Sequence, residues 1–540
     1  MDTSSISTAS NSMDTNTNDV RVPPTIDEIY METIWAREQY EMNPRDRQAA
    51  SYELHGVESR YDMVRYENPN NLNQALLKFD DELNNPGSSS ISAKLKETYN
   101  RALSLNSSYV TSSDFRLMFL RSEFFQITKA VIRFCKCLNI LVKYFGEISL
   151  LRQLLLSDLS KRELKLLKEG SMQLSQSRDS LGRRPLFLLG NCGGNYCPGE
   201  RDRVGLYLIF QVLAEDVISQ QNGLVTIHLI SEDVYQGLGG AENIPKMARL
   251  YLSIFEACPL RFSAIHFCFP KELIYRLLKP LLLFAIGEMG RKVLKIHSGT
   301  SVEWMYSLSS FGVRSDDVPT TYSGTVKTRQ HMRWIKVRSA MDKYIEDQAT
   351  THVDGDYCFF YASKIKPFPH IQCPEINCVL FHNNGVAWEF PGNIKFRAFL
   401  DQAFSDNHEY TKHISNTEED ILNRIIRLAL LRHFQFLLHD DINHWYDRLT
   451  EPEQLRRYIG FAYRGHLRRC SARRHRNAGD ILDAEGKKSK DVSDYDAQDM
   501  DLDADATKPT RQQTSIFINM DGNQRNVNRV TNCCMNRISL

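Results

Sequence analysis

Three soft metal ligands lie close together at Cys373-x₄-Cys378-x₃-His382, a set that holds zinc when a fourth ligand completes a tetrahedron. The spacing is looser than that of paired zinc ligands and no fourth ligand accompanies it, so no metal site is expected. Gly190-Asn191-Cys192-Gly193-Gly194 sits after an apolar run and before a helical stretch, where a phosphate loop would lie. It lacks both G-x-G-x-x-G and a following G-K-[ST], and reads as a strand-to-helix loop. No G-x-S-x-G turn is present to raise a nucleophilic serine. Asp233, Glu242 and His266 fall on different elements, and His266 within an apolar strand reads as a core histidine. Nothing here requires catalysis, so the chain is expected to be no enzyme and to use no cofactor. The chemistry that remains is burial of apolar matter. Ile265, Phe267 and Phe269 alternate along one strand and so share a face, and Leu273–Ile286 is a strongly apolar helical stretch.

The elements that must position these residues emerge from composition and periodicity. The chain has 540 residues, with 67 Lys+Arg against 66 Asp+Glu and a net charge of +1. At about 150 residues per domain this is about three to four domains. The balance excludes a protein that coats nucleic acid or membrane with its whole surface. Twelve cysteines contain no C-x-x-C, and the polar start Met1-Asp2-Thr3-Ser4-Ser5 has no apolar core of a secretory signal. The longest apolar span, Leu277–Gly287, is too short for a bilayer and contains Lys279 and Pro280. A reducing compartment with free thiols is expected.

Residues 1–25 are Ser/Thr/Asn/Asp-rich and read as disordered. Residues 26–109 form a charged, partly helical segment that includes a linker at Asn84–Ser90, with no function legible in it. From 110 to 184 apolar residues recur at helical spacing (Leu117, Leu120, Phe124, Ile127, Val131, Phe134), followed by a Leu-rich run, which predicts a helical layer. Between 185 and 326 short apolar runs at Pro185–Leu189, Leu224–Ile230, Ser263–Phe269 and Val293–His297 alternate with amphipathic segments. That alternation predicts an α/β fold with a mostly parallel sheet covered by helices. A connector (327–372), a second small and mainly helical domain (373–476) and a mostly disordered tail (477–540) complete the chain.

Four stretches in the 110–326 region resemble the CRAL-TRIO lipid-binding family, in its tocopherol-transfer and retinaldehyde-binding branch. They are Asp114–Phe125, the turn Asp179-Ser180-Leu181-Gly182-Arg183-Arg184-Pro185, the strand start Pro259-Leu260-Arg261-Phe262-Ser263-Ala264-Ile265-His266-Phe267, and Lys279-Pro280 followed by Arg291-Lys292-Val293 and Val318-Pro319-Thr320-Thr321-Tyr322-Ser323-Gly324-Thr325. The resemblance implies an apolar cavity closed by a gate helix at Leu273–Ile286, with Gly287 and Gly290 at its hinge. The ligand-binding set it implies is Ile227, Leu229, Ile265, Phe267, Phe269, Leu273, Leu277, Leu281 and Phe284. Burial of a hydrocarbon tail there yields about 0.8 kcal/mol per CH₂. Leu260 stands where the phosphatidylinositol-transfer branch has an acid, while the matching base, Lys292, is retained. An apolar residue accepts no hydrogen bond from an inositol ring, so a hydrophobic small molecule or generic lipid is the expected ligand. Arg291, Lys292 and Lys295 are expected to dock on anionic headgroups, each worth about 1 kcal/mol near a membrane.

Residues 373–476 resemble a domain of unknown function common in diatom proteins, through Cys378-Val379-Leu380-Phe381, Phe390-Pro391-Gly392-Asn393-Ile394-Lys395-Phe396-Arg397, Phe434–Leu437, Trp445 and Ala462-Tyr463-Arg464. His382-Asn383-Asn384 replaces that family's Gly-Arg-Gly. The domain ends on Arg464, Arg468, Arg469, Arg473, Arg474 and Arg476, before a tail rich in Asp. The expected function is binding, and intermembrane transfer, of a hydrophobic ligand in a gated cavity by a cytoplasmic, peripherally membrane-associated protein. The alternative is a regulatory protein, in the nucleus or cytoplasm, whose Arg464–Arg476 segment binds nucleic acid or a protein partner.

Overall fold

The computed structural model describes residues 26–84, 91–189, 198–230, 244–271, 273–350, 368–383, 385–387, 389–410 and 417–488, without the side chains of 26–28, 244–249, 251, 273–278, 281, 349–350, 403–410 and 472–488. The Gly190–Gly194 loop, most of the Asn84–Ser90 linker, the segment 1–25 and residues 489–540 of the tail lie outside them. The described residues up to Arg468 form one compact unit; Arg469–Lys488 is helical and begins a second. No described helix is long and apolar enough to cross a membrane.

The N-terminal helices are α1 (Ile26–Glu41), α2 (Pro44–Leu54), α3 (Pro69–Asn84), α4 (Ala93–Ser104), α5 (Ser113–Ser122) and α6 (Ile127–Phe145). Along α6, Val131, Phe134, Leu138, Leu141 and Phe145 recur every three or four residues, and that stripe is buried. Phe134 takes Phe79 of α3, Tyr99 of α4 and Phe119 of α5 on its edges, with ring centroids 5.4–5.7 Å apart. Helices α3 and α4 of the charged 26–109 segment are therefore part of the core. Their apolar positions are too sparse to reveal this before α6 is placed beside them.

The first sheet runs in the order β1-β2-β3-β4-β5: β1 (Met172–Leu174), β2 (Leu186–Leu189), β3 (Leu224–Leu229), β4 (Phe262–Phe269) and β5 (Leu294–Ser298). β1 is antiparallel to β2 and the rest are parallel in consecutive order. The four apolar runs expected as strands are the four parallel strands; only the short β1 was not anticipated. The β3–β4 and β4–β5 connections carry α7 (Ile244–Ala257) and α8 (Leu273–Arg291). Phe255 of α7 and Leu283 and Ile286 of α8 share one apolar cluster with Ile265, Phe267 and Phe269, so both helices lie on the same face. α9 (Ser301–Ser309) closes the opposite face with Met305 and Leu308, joined by Leu54 of α2.

The residues that carry the family resemblance act as structural clamps. Asp179 Oδ1 accepts from the backbone N–H groups of Leu181 and Arg183 while its Oδ2 takes Arg183 Nε at 2.7 Å. Gly182 supplies the positive φ, +80°, that the turn needs. Arg183 then donates to the Glu53 carbonyl and to Ser263 Oγ, and Arg261 pairs with Glu53 at 2.5 Å. Turn, strand and α2 are thereby tied together in a buried, mutually paired set of charges.

The C-terminal part is mainly helical as expected, with a small sheet that was not expected. It holds a four-stranded sheet in the order β7-β6-β8-β9: β6 (Cys378–His382), β7 (Gly385–Val386), β8 (Gln435–His439) and β9 (Tyr446–Arg448). β6 and β8 are parallel, joined through α10 (Pro391–Tyr410) and α11 (Glu418–Leu431), and α12 (Pro452–Lys488) follows β9. Strands of two to five residues show no alternation long enough to separate them from helix ends in the sequence. None of the described cysteines is in a disulfide.

Candidate functional site

The pleat of the first sheet sorts the expected ligand residues. Ile227 of β3 is opposite His266 of β4, and His228 is opposite Phe267. Ile265, Phe267 and Phe269 therefore share the face under α7 and α8 with Thr226 and His228, whereas Ile227 and Leu229 belong to the face under α9. The expected single wall is divided between two faces. On the α8 side Ile265, Phe267 and Phe269 are 2–4 % exposed and cluster with Leu283, Ile286, Val293, Leu294 and Met31. The side chains of Leu273, Leu277 and Leu281 lie outside the described residues. Phe284 points outward and is 67 % exposed, so it does not line the wall.

Two polar groups interrupt that wall, and the expected set omitted both. His228 stacks on Phe267 with ring centroids 4.1 Å apart. Burial, with Arg201 adding a smaller repulsion, pushes its imidazole down to about 3 and holds it neutral. Thr226 is buried, and its Oγ1 finds no hydrogen-bond partner among the described residues. A few polar atoms in an apolar wall are what orient a bound apolar molecule. The signal was present: in Leu224-Val225-Thr226-Ile227-His228-Leu229 the period of two puts Thr226 and His228 together.

α8 is interrupted where a hinge was expected. Gly287 has φ +71° and ψ 175°, which breaks the helix, and a Cβ there would come within 2.8 Å of Leu252 Cδ2. Before the break, Pro280 removes an N–H donor. Phe284 and Met289 are exposed on α8 at 67 % and 71 %, and Leu252 beside Gly287 at 41 %.

The expected headgroup cluster is not a set of free cations. Arg291 is 8 % exposed, and its guanidinium grips Glu38 of α1 through Nε at 2.7 Å and Nη2 at 2.5 Å, with Nη1 on the Leu283 carbonyl. Its own carbonyl accepts from Trp35 Nε1 at 2.9 Å and Gln39 Nε2 at 3.2 Å. Lys279 pairs with Glu32, so α1 holds α8 at two points. Lys292 pairs with Glu288 one turn back at 2.6 Å. Lys295, opposite His266, belongs to the other face, where its ammonium lies 5.9 Å from the Phe311 ring centroid. The cations that sequence neighbourhood groups together are thus separated by strand alternation and by α1.

His266 is buried in the core as expected, but its Nε2 has no hydrogen-bond partner among the described residues. Its Nδ1 lies 3.0 Å from His297 Nε2, and His297 Nδ1 lies 2.7 Å from Ser307 Oγ. Burial keeps His266 well below its ordinary range and lowers His297 to about 4. In the basic C-terminal stretch Arg464 is met by Glu418 at 3.3 Å and Arg468 is exposed. The side chains of Arg473, Arg474 and Arg476 lie outside the described residues. No protein-family model matches the chain, and no curated protein matches it significantly.

Proposed function

We propose that the chain binds a lipid or similar hydrophobic molecule between the first sheet and α8, in the manner of the CRAL-TRIO proteins that its motifs resemble. The observation that carries this reading is the build of α8. It covers the apolar face of Ile265, Phe267 and Phe269, breaks at Gly287, and turns Phe284 outward before the break, with Met289 exposed just beyond it. An apolar outer surface on a hinged cover suits contact with a bilayer, since exposed apolar groups gain by leaving water. The ligand exchanges when α8 swings about Gly287 at the membrane, and Thr226 and His228 orient its polar end. No bond is made or broken. Docking rests on apolar contact more than on charge, because Arg291 and Lys292 already have carboxylate partners.

A second reading is a scaffold whose interior its own side chains fill. The enclosure of Ile265, Phe267 and Phe269 in one cluster with Leu283 and Ile286 favours it. Incubation with liposomes carrying a self-quenched fluorescent fatty acid separates the two. Saturable dequenching at one ligand per chain supports binding, and no uptake at any lipid ratio leaves the scaffold.

A further inference from the structure

We propose a divalent transition-metal site at the carboxyl ends of β6 and β8, built from His382, His439 and Asp441. The paired strands run parallel, with Phe381 opposite Leu438, so the next residues, His382 and His439, meet side by side at the strand ends. Their ring centroids are 5.1 Å apart. Asp441 follows in the β8–β9 turn, and its Oδ1 lies 2.9 Å from His439 Nδ1. One donor atom from each of the three residues falls within 4.8 Å of the others. A tetrahedral ion with ligands at about 2.0–2.2 Å holds its donors about 3.3 Å apart, so binding requires the His382 ring to move closer to the other two donors. The carboxyl ends of parallel strands, where neighbouring connections diverge, are also where α/β sheets usually place ligands. Here the chain leaves β6 for β7 on one side and β8 for β9 on the other.

The surroundings support ligation rather than a chance pair. Asn383 Nδ2 donates to Asp441 Oδ2 at 3.2 Å, leaving Oδ1 turned to the histidines, which is how outer partners orient metal carboxylates. Asp440 is occupied elsewhere, accepting from the backbone N–H groups of Ile442 and Asn443, so it shapes the turn and does not compete. A third imidazole, His444, lies with its ring 6.2 Å from that of His439, and its buried Nδ1 has no partner among the described residues. Two imidazoles and one carboxylate suit zinc, nickel, copper or iron(II) and disfavour magnesium and calcium. Asp441 is exposed, so a coordination position opens to solvent. The Cys373–Cys378 pair weighed from sequence takes no part: Cys373 Sγ faces the Gln176 carbonyl and Cys378 Sγ the Gln435 side chain.

The test is a zinc titration of the metal-stripped, reduced full-length chain in competition with a chromogenic chelator. The wild type should bind one zinc that Asp441→Asn and His439→Gln bind at least about tenfold more weakly. Asn383→Ala should lose a smaller factor, and a Cys373→Ser/Cys378→Ser variant should match the wild type. Asp441 lies on the surface, so its variant folds, and far-UV circular dichroism checks this. Equal zinc affinity in wild type, Asp441→Asn and His439→Gln would overturn the proposal. So would loss of the zinc in the cysteine variant alone, or no zinc bound by the wild type up to millimolar concentration.

Discussion

Replacing Glu38 with alanine should loosen α8 without touching a single residue of the apolar wall. The Arg291 and Glu38 side chains are 10 % and 14 % exposed and joined by two hydrogen bonds. With Glu38 removed, the guanidinium keeps only the Leu283 carbonyl and stays shielded from water. Removing one partner of a buried pair costs about 3–5 kcal/mol, and incomplete enclosure places this one near about 3 kcal/mol. At 1.4 kcal/mol per factor of ten, that is roughly a hundredfold shift in the opening equilibrium of α8. Hydrogen exchange read by mass spectrometry on peptides covering 273–291 should show amide exchange faster by about that factor. Peptides of α6 should be unchanged. A Glu38→Ala/Arg291→Met double variant should recover most of the protection, because no buried charge is then left alone. Lipid uptake should quicken in Glu38→Ala if α8 is the cover. An exchange change below about threefold would place the pair among surface ion pairs and would refute the clamp.

Gly287→Ala should lower stability by about 2 kcal/mol in urea, because that backbone region costs about 1–3 kcal/mol outside glycine and the new Cβ meets Leu252; a loss under about 0.5 kcal/mol would show that the break is not required. Phe284→Ser with Met289→Ser should abolish cosedimentation with vesicles while stability stays within about 0.5 kcal/mol, and Lys295→Gln should leave cosedimentation intact. Retention by the serine variant would move docking elsewhere. Stability should also fall on acidification. His228, His297 and His331 have folded values lowered to about 3, 4 and 4 by burial. Their contribution is complete above the unfolded value of about 6.5 and is lost as pH falls from there towards the folded values. The slope approaches about 1.4 kcal/mol per pH unit for each histidine. Asp202 and Asp342, both raised to about 6 by burial, act in the opposite sense and offset part of the histidines' share. Urea midpoints that stay flat from pH 7 to pH 5 would contradict the burial of these imidazoles.

The first sheet was legible because buried parallel strands read as continuous apolar runs. Leu224–Leu229 and Phe262–Phe269 stand out by composition alone, and each begins within one residue of the place expected. The Asp179–Arg183 turn was legible only as a stretch resembling a family motif, and that motif is local because its hydrogen bonds close within five residues. What the sequence concealed depends on long-range placement. Nothing near Arg291 announces that Glu38, more than 250 residues away, neutralises it. Hydrophobicity also selected Ile227 over His228, although strand alternation turns His228 to the α8 face and Ile227 away from it. His382 was weighed with its sequence neighbours Cys373 and Cys378, yet its partners come from β8 and the turn beyond, across the parallel pairing of β6 and β8.

The lipid-binding reading stands or falls on what travels with the purified protein. The full-length chain, isolated from cells without detergent, is extracted with organic solvent and the extract analysed by mass spectrometry against protein concentration. One lipid or other apolar molecule per chain is expected, and Phe267→Trp, which adds bulk to the face under α8, should displace it. An extract with no stoichiometric apolar molecule, together with no uptake from liposomes by the wild type or Glu38→Ala, would contradict it.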